Sequence, residues 1–480
     1  MRMMQVIQRC RIIGDCPYFR LAAIAILFPI ALANAADKPN VIVMIADDVG
    51  YGDVGAFMGG GVRGAATPNL DRMATEGMKL TSFYAQPTCT PTRASLVTGR
   101  LPIRAGFTFP LFPSLPMGLV PDEITIAELL EPAGYYSAAL GKWHLGDQEA
   151  HLPHKQGFDE FWGFLYHADA YLYPTDRDWR TDTQVGRTMK FRGIVEGVKG
   201  QPSKDVEPID AARLETLDRD IAQHAVDYIG ARAKEDKPFF LYVGFSKAHY
   251  KNFPLPEFKG KSQSGDYGDA LMELDHHSGA ILDAVRNAGI AENTLVLWFS
   301  DNGPSYDTFP DCGYTPFRGA KGQTYEGGVR MPCIAWWPGT IQSGASADGI
   351  MTTMDIFSTA AALAGVETPK DRPIDGHDQT AFLKGAAPSA TQSVYYYLGD
   401  RLMAIRNGKW KAHFYTADNW PDGPIEEYSV PQLYDLMTDP RESRNLVYLK
   451  TWEVVQANLL LRQHQAELKR FPNRVLLPPL

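Results

Sequence analysis

The sequence predicts an α/β fold: a large mixed, mostly parallel sheet flanked by helices, followed by a smaller C-terminal antiparallel sheet with a helix. Three observations predict it. Apolar runs of strand length alternate with segments of helical period. Several runs stop at acidic residues or glycine, the mark of a buried strand with a turn at its carboxyl end. Past residue 380 the alternation gives way to short aromatic-rich runs separated by turn residues. A chain of 480 residues, 45% hydrophobic and 21% charged, has material for one large domain plus a smaller one.

The first 35 residues stand apart. Arg9, Arg11 and Arg20 precede the apolar run LAAIAILFPIALANA (21–35), which ends in small residues before Asp37, as a secretory signal peptide does. The run is shorter than the ~20 apolar residues of a spanning helix, and Pro29 interrupts it. The expectation is cleavage near Ala35 and an exported, periplasmic or secreted protein with no stable membrane insertion; the alternative is a retained anchor.

KPNVIVMIADDVG (38–50) reads as a buried strand, and TPNLDRMATEGMKLTSFYA (67–85) as a helix and then a strand. EITIAELLEPAGYYSAALGKWHLG (123–146) is a helix ending near Gly134 and a strand ending near Gly141. LDRDIAQHAVDYIGARA (217–233) is a helix, and a strand follows Pro238 in KPFFLYVGFSKAH (237–249). DALMELDHHSGAILDAVRNAGI (269–290) is a helix and NTLVLWFSDNG (293–303) another buried strand. The turn-rich stretch 367–393 marks a boundary near 380, giving domains 36–380 and 381–480. Beyond it VYYYLGD (394–400), LMAIRNGKWKAHFY (402–415) and QLYDLM (432–437) read as antiparallel strands, and residues 451–471 as an amphipathic helix.

A net charge of −9 argues against nucleic acid as the main partner, because phosphate neutralisation needs basic surface. Once Cys10 and Cys16 leave with the leader, Cys89, Cys312 and Cys333 remain. An odd count leaves at least one unpaired. Cys312 and Cys333 could pair, though sequence does not give their geometry. Cys89, followed by Pro91 and Arg93, is the candidate for chemistry.

Two strand ends carry acidic groups: Asp47 and Asp48 on one, Asp301 and Asn302 on the other. Either pair alone suits a cap or a turn. Converging at one sheet edge, three carboxylates would repel one another unless a cation lay between them, and oxygen ligands suit Ca²⁺ or Mg²⁺. Lys142 and His144 stand at i and i+2 after a strand, facing one way if strand geometry persists. Lys321 lies in a glycine-rich turn and His249 follows a strand. With Arg93 they form a cationic set suited to an oxyanion substrate.

On these segments the chain resembles the type I, formylglycine-dependent sulfatases of the alkaline phosphatase superfamily, nearest in texture to the arylsulfatases. CTPTRASLVTGR (89–100) matches the C-x-P-x-R signature and its extension, and GKWHLG (141–146) the second signature. ADDVGYGD (46–53), SDNG (300–303) and GAKGQTYEGGVRMP (319–332) match the metal and leaving-group segments in the expected order. LYDLMTDPRESRNL (433–446) resembles the family's C-terminal subdomain.

The resemblance implies sulfate ester hydrolysis by a hydrated formylglycine, made from Cys89 by a formylglycine-generating enzyme. A hydrate keeps a second hydroxyl, whose deprotonation expels sulfate and restores the aldehyde. By the same resemblance Asp47, Asp48, Asp301 and Asn302 would hold a divalent cation, Ca²⁺ foremost and Mg²⁺ otherwise, with the modified Cys89 completing its shell. Arg93 would orient the formylglycine, and Lys142 would bind both it and sulfate. His144 would take the second hydroxyl's proton; Lys321 and His249 would contact sulfate and help protonate the departing alcohol or phenol. The substrate would be a sulfated small molecule or carbohydrate. SKAHYKNFP (246–254) departs from the family's commoner form, with Ala248 before His249 where a proline is usual.

Two other readings stay open on the residues. One is a formylglycine-dependent hydrolase of phosphonate monoesters or phosphodiesters. The other is a non-catalytic metal- or carbohydrate-binding protein, which would have no need of the acid–base groups. Residues 164–180 read as a loop over the pocket, where Tyr166, Tyr171, Tyr173 and Trp179 could stack on a sugar or aryl group or equally pack on the subdomain, and residues 413–429 are a second candidate rim.

Overall fold

A strand covered on both faces is a continuous apolar run, and the run after Pro39 obeys this: β1 (Asn40–Ala46) is buried along its whole length. The computed structural model describes residues 38–418 and 423–474; the leader expected over residues 1–35 lies outside them. With β1, the strands β2 (Met78–Tyr84), β3 (Tyr136–Lys142), β4 (Glu160–Phe164), β5 (Ile194–Val198), β6 (Lys204–Glu207), β7 (Phe239–Gly244), β8 (Thr294–Ser300), β9 (Arg330–Trp336), β10 (Ala345–Ala347) and β11 (Met351–Thr352) form one sheet. Its order is β10-β2-β9-β8-β1-β7-β3-β4-β5-β6, with β11 also on β2.

The middle, β8-β1-β7-β3-β4, is parallel throughout. β9 runs antiparallel to both β8 and β2; at the other side β5 runs antiparallel to β4, and β6, antiparallel to β5, turns back to the direction of β4. The sheet is therefore mixed but mostly parallel, as expected. Because β2 runs with β8, the carboxyl ends of β1, β2, β3, β4, β7 and β8 open on one edge. Ligands bind at that edge in such sheets.

Helix Ala211–Arg232 starts at Asp210, whose side chain accepts from Arg213 N at 2.8 Å. It buries Leu214, Leu217, Ile221, Ala225 and Tyr228 at helical spacing, and packs on β3, β7 and the helix Gly265–Asn287. Among the described residues no helix is long and apolar enough to cross a membrane. Cys312 and Cys333 are both free thiols, so the pairing left open above is not made.

β12 (Ser393–Leu398), β13 (Arg401–Asn407), β14 (Trp410–Ala417) and β15 (Ile425–Asp435) form the second, antiparallel sheet. β13 and β14 are joined through Gly408-Lys409, where Gly408 takes φ +55, which the tight hairpin needs. Helix Thr451–Arg470 covers this sheet, its Val454 and Ala457 meeting Ile405, Ala412 and Leu433.

A buried ionic cluster joins the two sheets. Glu326 accepts from Lys411 Nζ at 2.9 Å and from Tyr84 OH at 2.6 Å. Glu442 accepts from Glu326 N at 2.7 Å and is bonded to His413 Nε2 at 2.6 Å. Burial pushes the Glu326 carboxyl up, but the Lys411, Arg330 and Arg406 charges outweigh it and hold the group near 2. Removing one member of such a cluster leaves its partner charged and unpaired, at a cost of about 3–5 kcal/mol. Glu326→Ala is therefore expected to lose about that much stability in urea denaturation; a loss below about 1 kcal/mol would show that the cluster does not hold the sheets together.

Candidate active site

The strand ends deliver the candidate residues one after another. Asp47 and Asp48 leave β1; Asp301 and Asn302 leave the adjacent β8, paired with it through Ala46 and Ser300. Asp48 sits at φ +59, a left-handed conformation that Asp tolerates better than most residues. β2 leads to Cys89, the first residue of the helix Cys89–Thr98, which is buried along its whole length. Pro91 falls in its first turn, where no intrahelical N–H bond is lost, and Arg93 follows one turn after Cys89 on the same face. Thr90 Oγ1 donates to His144 O at 3.0 Å and Thr92 Oγ1 to Asp301 O at 2.6 Å. These bonds fasten the start of the helix to the ends of β3 and β8.

Every predicted cation finds a predicted carboxylate. Lys142 Nζ lies 2.5 Å from Asp47 Oδ2, Arg93 Nη2 2.8 Å from Asp301 Oδ2, and Lys321 Nζ 2.7 Å from Asp48 Oδ1. Arg93 also donates to Lys142 O at 2.9 Å and to Tyr242 OH at 2.7 Å. Burial pushes Asp47 up, yet the charges of Lys142, His249, Arg93 and Lys321 together hold it well below the usual carboxylate range. Asp301 is raised instead, by burial and by the Asp47 charge beside it. Burial would lower Lys321, but Asp48, Cys89 and Asp47 outweigh this and keep it charged.

Two oxygens of this cluster are orphaned: Asp47 Oδ1 and Asn302 Oδ1 are buried with no hydrogen-bond partner. Asn302 meanwhile donates its Nδ2 to Asp48 Oδ1 at 2.6 Å. Crowded carboxylates with unsatisfied oxygens and no thiolate donor fit a hard divalent cation. Ligand atoms of Asp47, Asp48 and His249 lie within 4.8 Å of one another, so His249 borders this cluster too.

The histidines resolve in detail. Strand geometry does not persist past Lys142: His144 takes φ +60. Its Nε2 lies 2.9 Å from Leu111 O, and since a carbonyl only accepts, Nε2 carries the hydrogen. Nδ1 is then the bare nitrogen, buried and without a partner. Burial, with the Lys142 charge, pushes the imidazole well below its ordinary value, so it is neutral at pH 7. His249 Nδ1 donates to Tyr250 O at 2.5 Å, leaving Nε2 to accept from Lys321 Nζ at 3.2 Å.

His167 and Asp169, on the segment leaving β4, also belong here and were not singled out from the sequence. The His167 ring lies 5.6 Å from that of His144 and 5.7 Å from that of His249. Asp169 Oδ1 lies 3.5 Å from His249 Nδ1. The available signal was position: residue 167 stands three past the end of β4, as His144 stands two past the end of β3. Of the aromatic residues expected at the rim, Tyr166 and Tyr171 are core residues, and Tyr173 and Trp179 are half-buried. In the second rim segment His413 is buried in the inter-sheet cluster.

Carboxylates with orphaned oxygens, buried cations and a neutral imidazole around one helix-borne position are the equipment of an enzyme that hydrolyses oxyanion esters. The comparisons with known proteins specify which. The sulfatase family model matches residues 39–366, and that of the C-terminal region of aryl-sulfatase matches residues 389–477. N-acetylgalactosamine-6-sulfatase of Canis lupus familiaris is 36% identical over 94% of this chain and 90% of its own length. Arylsulfatase A of Homo sapiens is 36% identical over 90% of this chain and 89% of its own. The crystal structure of the PsFucS1 sulfatase from Pseudoalteromonas sp. superposes with a TM-score of 0.86 at 37% identity, over 91% of this chain and 92% of that one. The chain belongs to the sulfatase family, and its reaction is the hydrolysis of sulfate esters. The family implies a divalent cation and a formylglycine.

A cation that binds only the folded state adds stability, about 2.7 kcal/mol at a hundred times its Kd. Ca²⁺ or Mg²⁺ added to chelator-treated protein is therefore expected to raise the unfolding temperature in scanning fluorimetry. Asn302→Ala should cut that rise by half or more. No rise with either ion would mean that the lysines alone neutralise the cluster.

Proposed function

We propose that Cys89 is converted by a formylglycine-generating enzyme and that sulfate ester hydrolysis proceeds on the product, within an exported enzyme acting on a sulfated small molecule or carbohydrate. The observation that carries this reading is His144, a neutral imidazole whose bare Nδ1 is buried without a protein partner beside the Cys89 helix. The thiol itself is a poor candidate nucleophile: burial pushes Cys89 up against the pull of Lys142 and Lys321, and a protonated thiol does not attack. Asp47, Asp48, Asp301 and Asn302, with the modified Cys89, would hold Ca²⁺, the large hard cation that such an oxygen set accommodates. That ion would polarise a sulfate oxygen and favour the ionised nucleophile.

The chain's own groups divide the remaining work. Arg93, fixed by Asp301, Tyr242 and the Lys142 carbonyl, orients the modified side chain. Lys142 and Lys321 provide positive charge for the sulfate oxygens from opposite carboxylates, Asp47 and Asp48. Lys321 supplies the proton of the departing oxygen, and His249, whose bare Nε2 accepts from Lys321 Nζ at 3.2 Å, helps by holding that ammonium in place. His144 Nδ1 takes the proton of the second hydroxyl, whose oxygen then forms the carbonyl as the C–O bond to sulfate breaks. The aldehyde is thereby restored for the next turnover.

Cys89→Ala is expected to abolish turnover of 4-nitrophenyl sulfate, and the Cys89 peptide of active protein to react as an aldehyde with a hydrazide probe. Active protein whose Cys89 reacts only as a thiol overturns the proposal. Lys321→Ala should lower kcat/KM by about 10²–10⁴-fold for alkyl sulfates with poor leaving groups and by less for activated aryl sulfates. A loss that is the same across leaving-group pKa would remove Lys321 from leaving-group protonation.

A further inference from the structure

The roles above leave one parallel strand of the sheet's middle without a function at its carboxyl end. β4 hands the chain to His167, a buried side chain that joins the two halves of the site: its ring meets His144 on the nucleophile side and His249 on the leaving-group side. His167 Nε2 is bonded to Tyr173 OH at 2.8 Å, and among the described residues its Nδ1 has no hydrogen-bond partner. An imidazole nitrogen left free in this way can bond a hydroxyl that enters the site. We propose that His167 is a specificity-determining residue that hydrogen-bonds a hydroxyl of the leaving alcohol beside the scissile ester, so that the enzyme prefers sulfate esters of sugars over those of simple phenols. This rests on the sulfatase reading above.

Three features select a neutral hydroxyl as the partner. Positive charge for the scissile sulfate is already supplied by Lys142 and Lys321, each in its own ion pair. The Asp169 carboxylate lies 3.7 Å from His167 Nε2 and 3.5 Å from His249 Nδ1, and it disfavours a second anion at this wall. Asp169 Oδ1 is itself buried without a hydrogen bond, an acceptor ready for an O–H donor. One wall thus offers both halves of a hydroxyl's bonding, an imidazole nitrogen and a carboxylate oxygen.

The surface around His167 suits the rest of a sugar. Phe112, 41% exposed, sets its edge against the His167 ring at 5.6 Å. Tyr173 stacks on Trp179 at 6.4 Å and meets Phe191 edge-on at 6.3 Å. An aromatic strip therefore leads outward from His167, and the C–H face of a pyranose packs on such rings while its hydroxyls stay free to bond. A phenol can use the strip but brings no second hydroxyl to His167.

The test compares kcat/KM of the wild type, His167→Ala, His167→Gln and Tyr173→Phe on 4-nitrophenyl sulfate and on a panel of hexose and hexosamine 2-, 3-, 4- and 6-sulfates. The expected result is that the best sugar sulfate loses about tenfold more than the aryl sulfate in His167→Ala, as for loss of one substrate hydrogen bond. His167→Gln, which keeps a donor and an acceptor, should recover part of that difference. Tyr173→Phe, which removes only the hydroxyl that orients the ring, should show a smaller difference of the same sign, and it decides the matter should the alanine variant not fold. Equal losses on both substrate classes, or no loss on either, overturn the proposal. So does a wild type that hydrolyses the aryl sulfate and none of the sugars, which leaves the sulfatase reading standing. A wild type inactive on every sulfate ester defeats that reading itself.

Discussion

The structure depends on one electrostatic constraint, the burial of several carboxylates together at the edge of a sheet. Asp47, Asp48 and Asp301 are all enclosed at the ends of two neighbouring parallel strands, where each charge raises the cost of the next. Lys142, Arg93 and Lys321 answer them one for one. Pairs this deep contribute little net stability, because desolvation offsets the attraction, but breaking any one of them is expensive. What they provide is position. Each cation has one geometry that its carboxylate accepts, so the groups facing an oxyanion are set before substrate arrives.

The same constraint explains the architecture around the site. Only parallel strands release their chains on one edge, and here the ends of β1, β2, β3, β4, β7 and β8 supply Asp47 and Asp48, Cys89, His144, His167, His249 and Asp301 within a few residues each. β9 is the exception. It runs the other way, so its amino end meets the edge, and the segment before it brings Lys321.

That segment needs its own support, and the second sheet gives it. Glu326, five residues after Lys321, is held by Lys411 of β14 and by the Glu442 carboxylate on its backbone N–H. Gln323 reaches Asp418 O beyond β14. The antiparallel sheet thus anchors the loop that carries Lys321, by the same use of buried charge that orders the candidate site itself.

Much of this was legible in the chain. Strands buried on both faces betray themselves as unbroken apolar runs, so β1, β7 and β8 were evident, and with them the acidic residues at their ends; Cys89 stood out through its proline and arginine neighbours. Such features are local, written within a dozen residues. His167 and Asp169 escaped notice because β4 is short and its FWGF run reads as readily as loop, and the half-burial of Tyr173 could not be told from the core packing of Tyr166 and Tyr171. The amino-acid order by itself determined the element types, the singling out of Cys89 as the candidate for chemistry and the inventory of charges. Tertiary structure alone decided which lysine meets which aspartate, which nitrogen of His144 is bare, and that a third histidine-bearing strand end, that of β4, lies beside the other two. Those outcomes turn on contacts of about 3 Å between residues scores to hundreds of positions apart, and no local pattern encodes a distance of that kind.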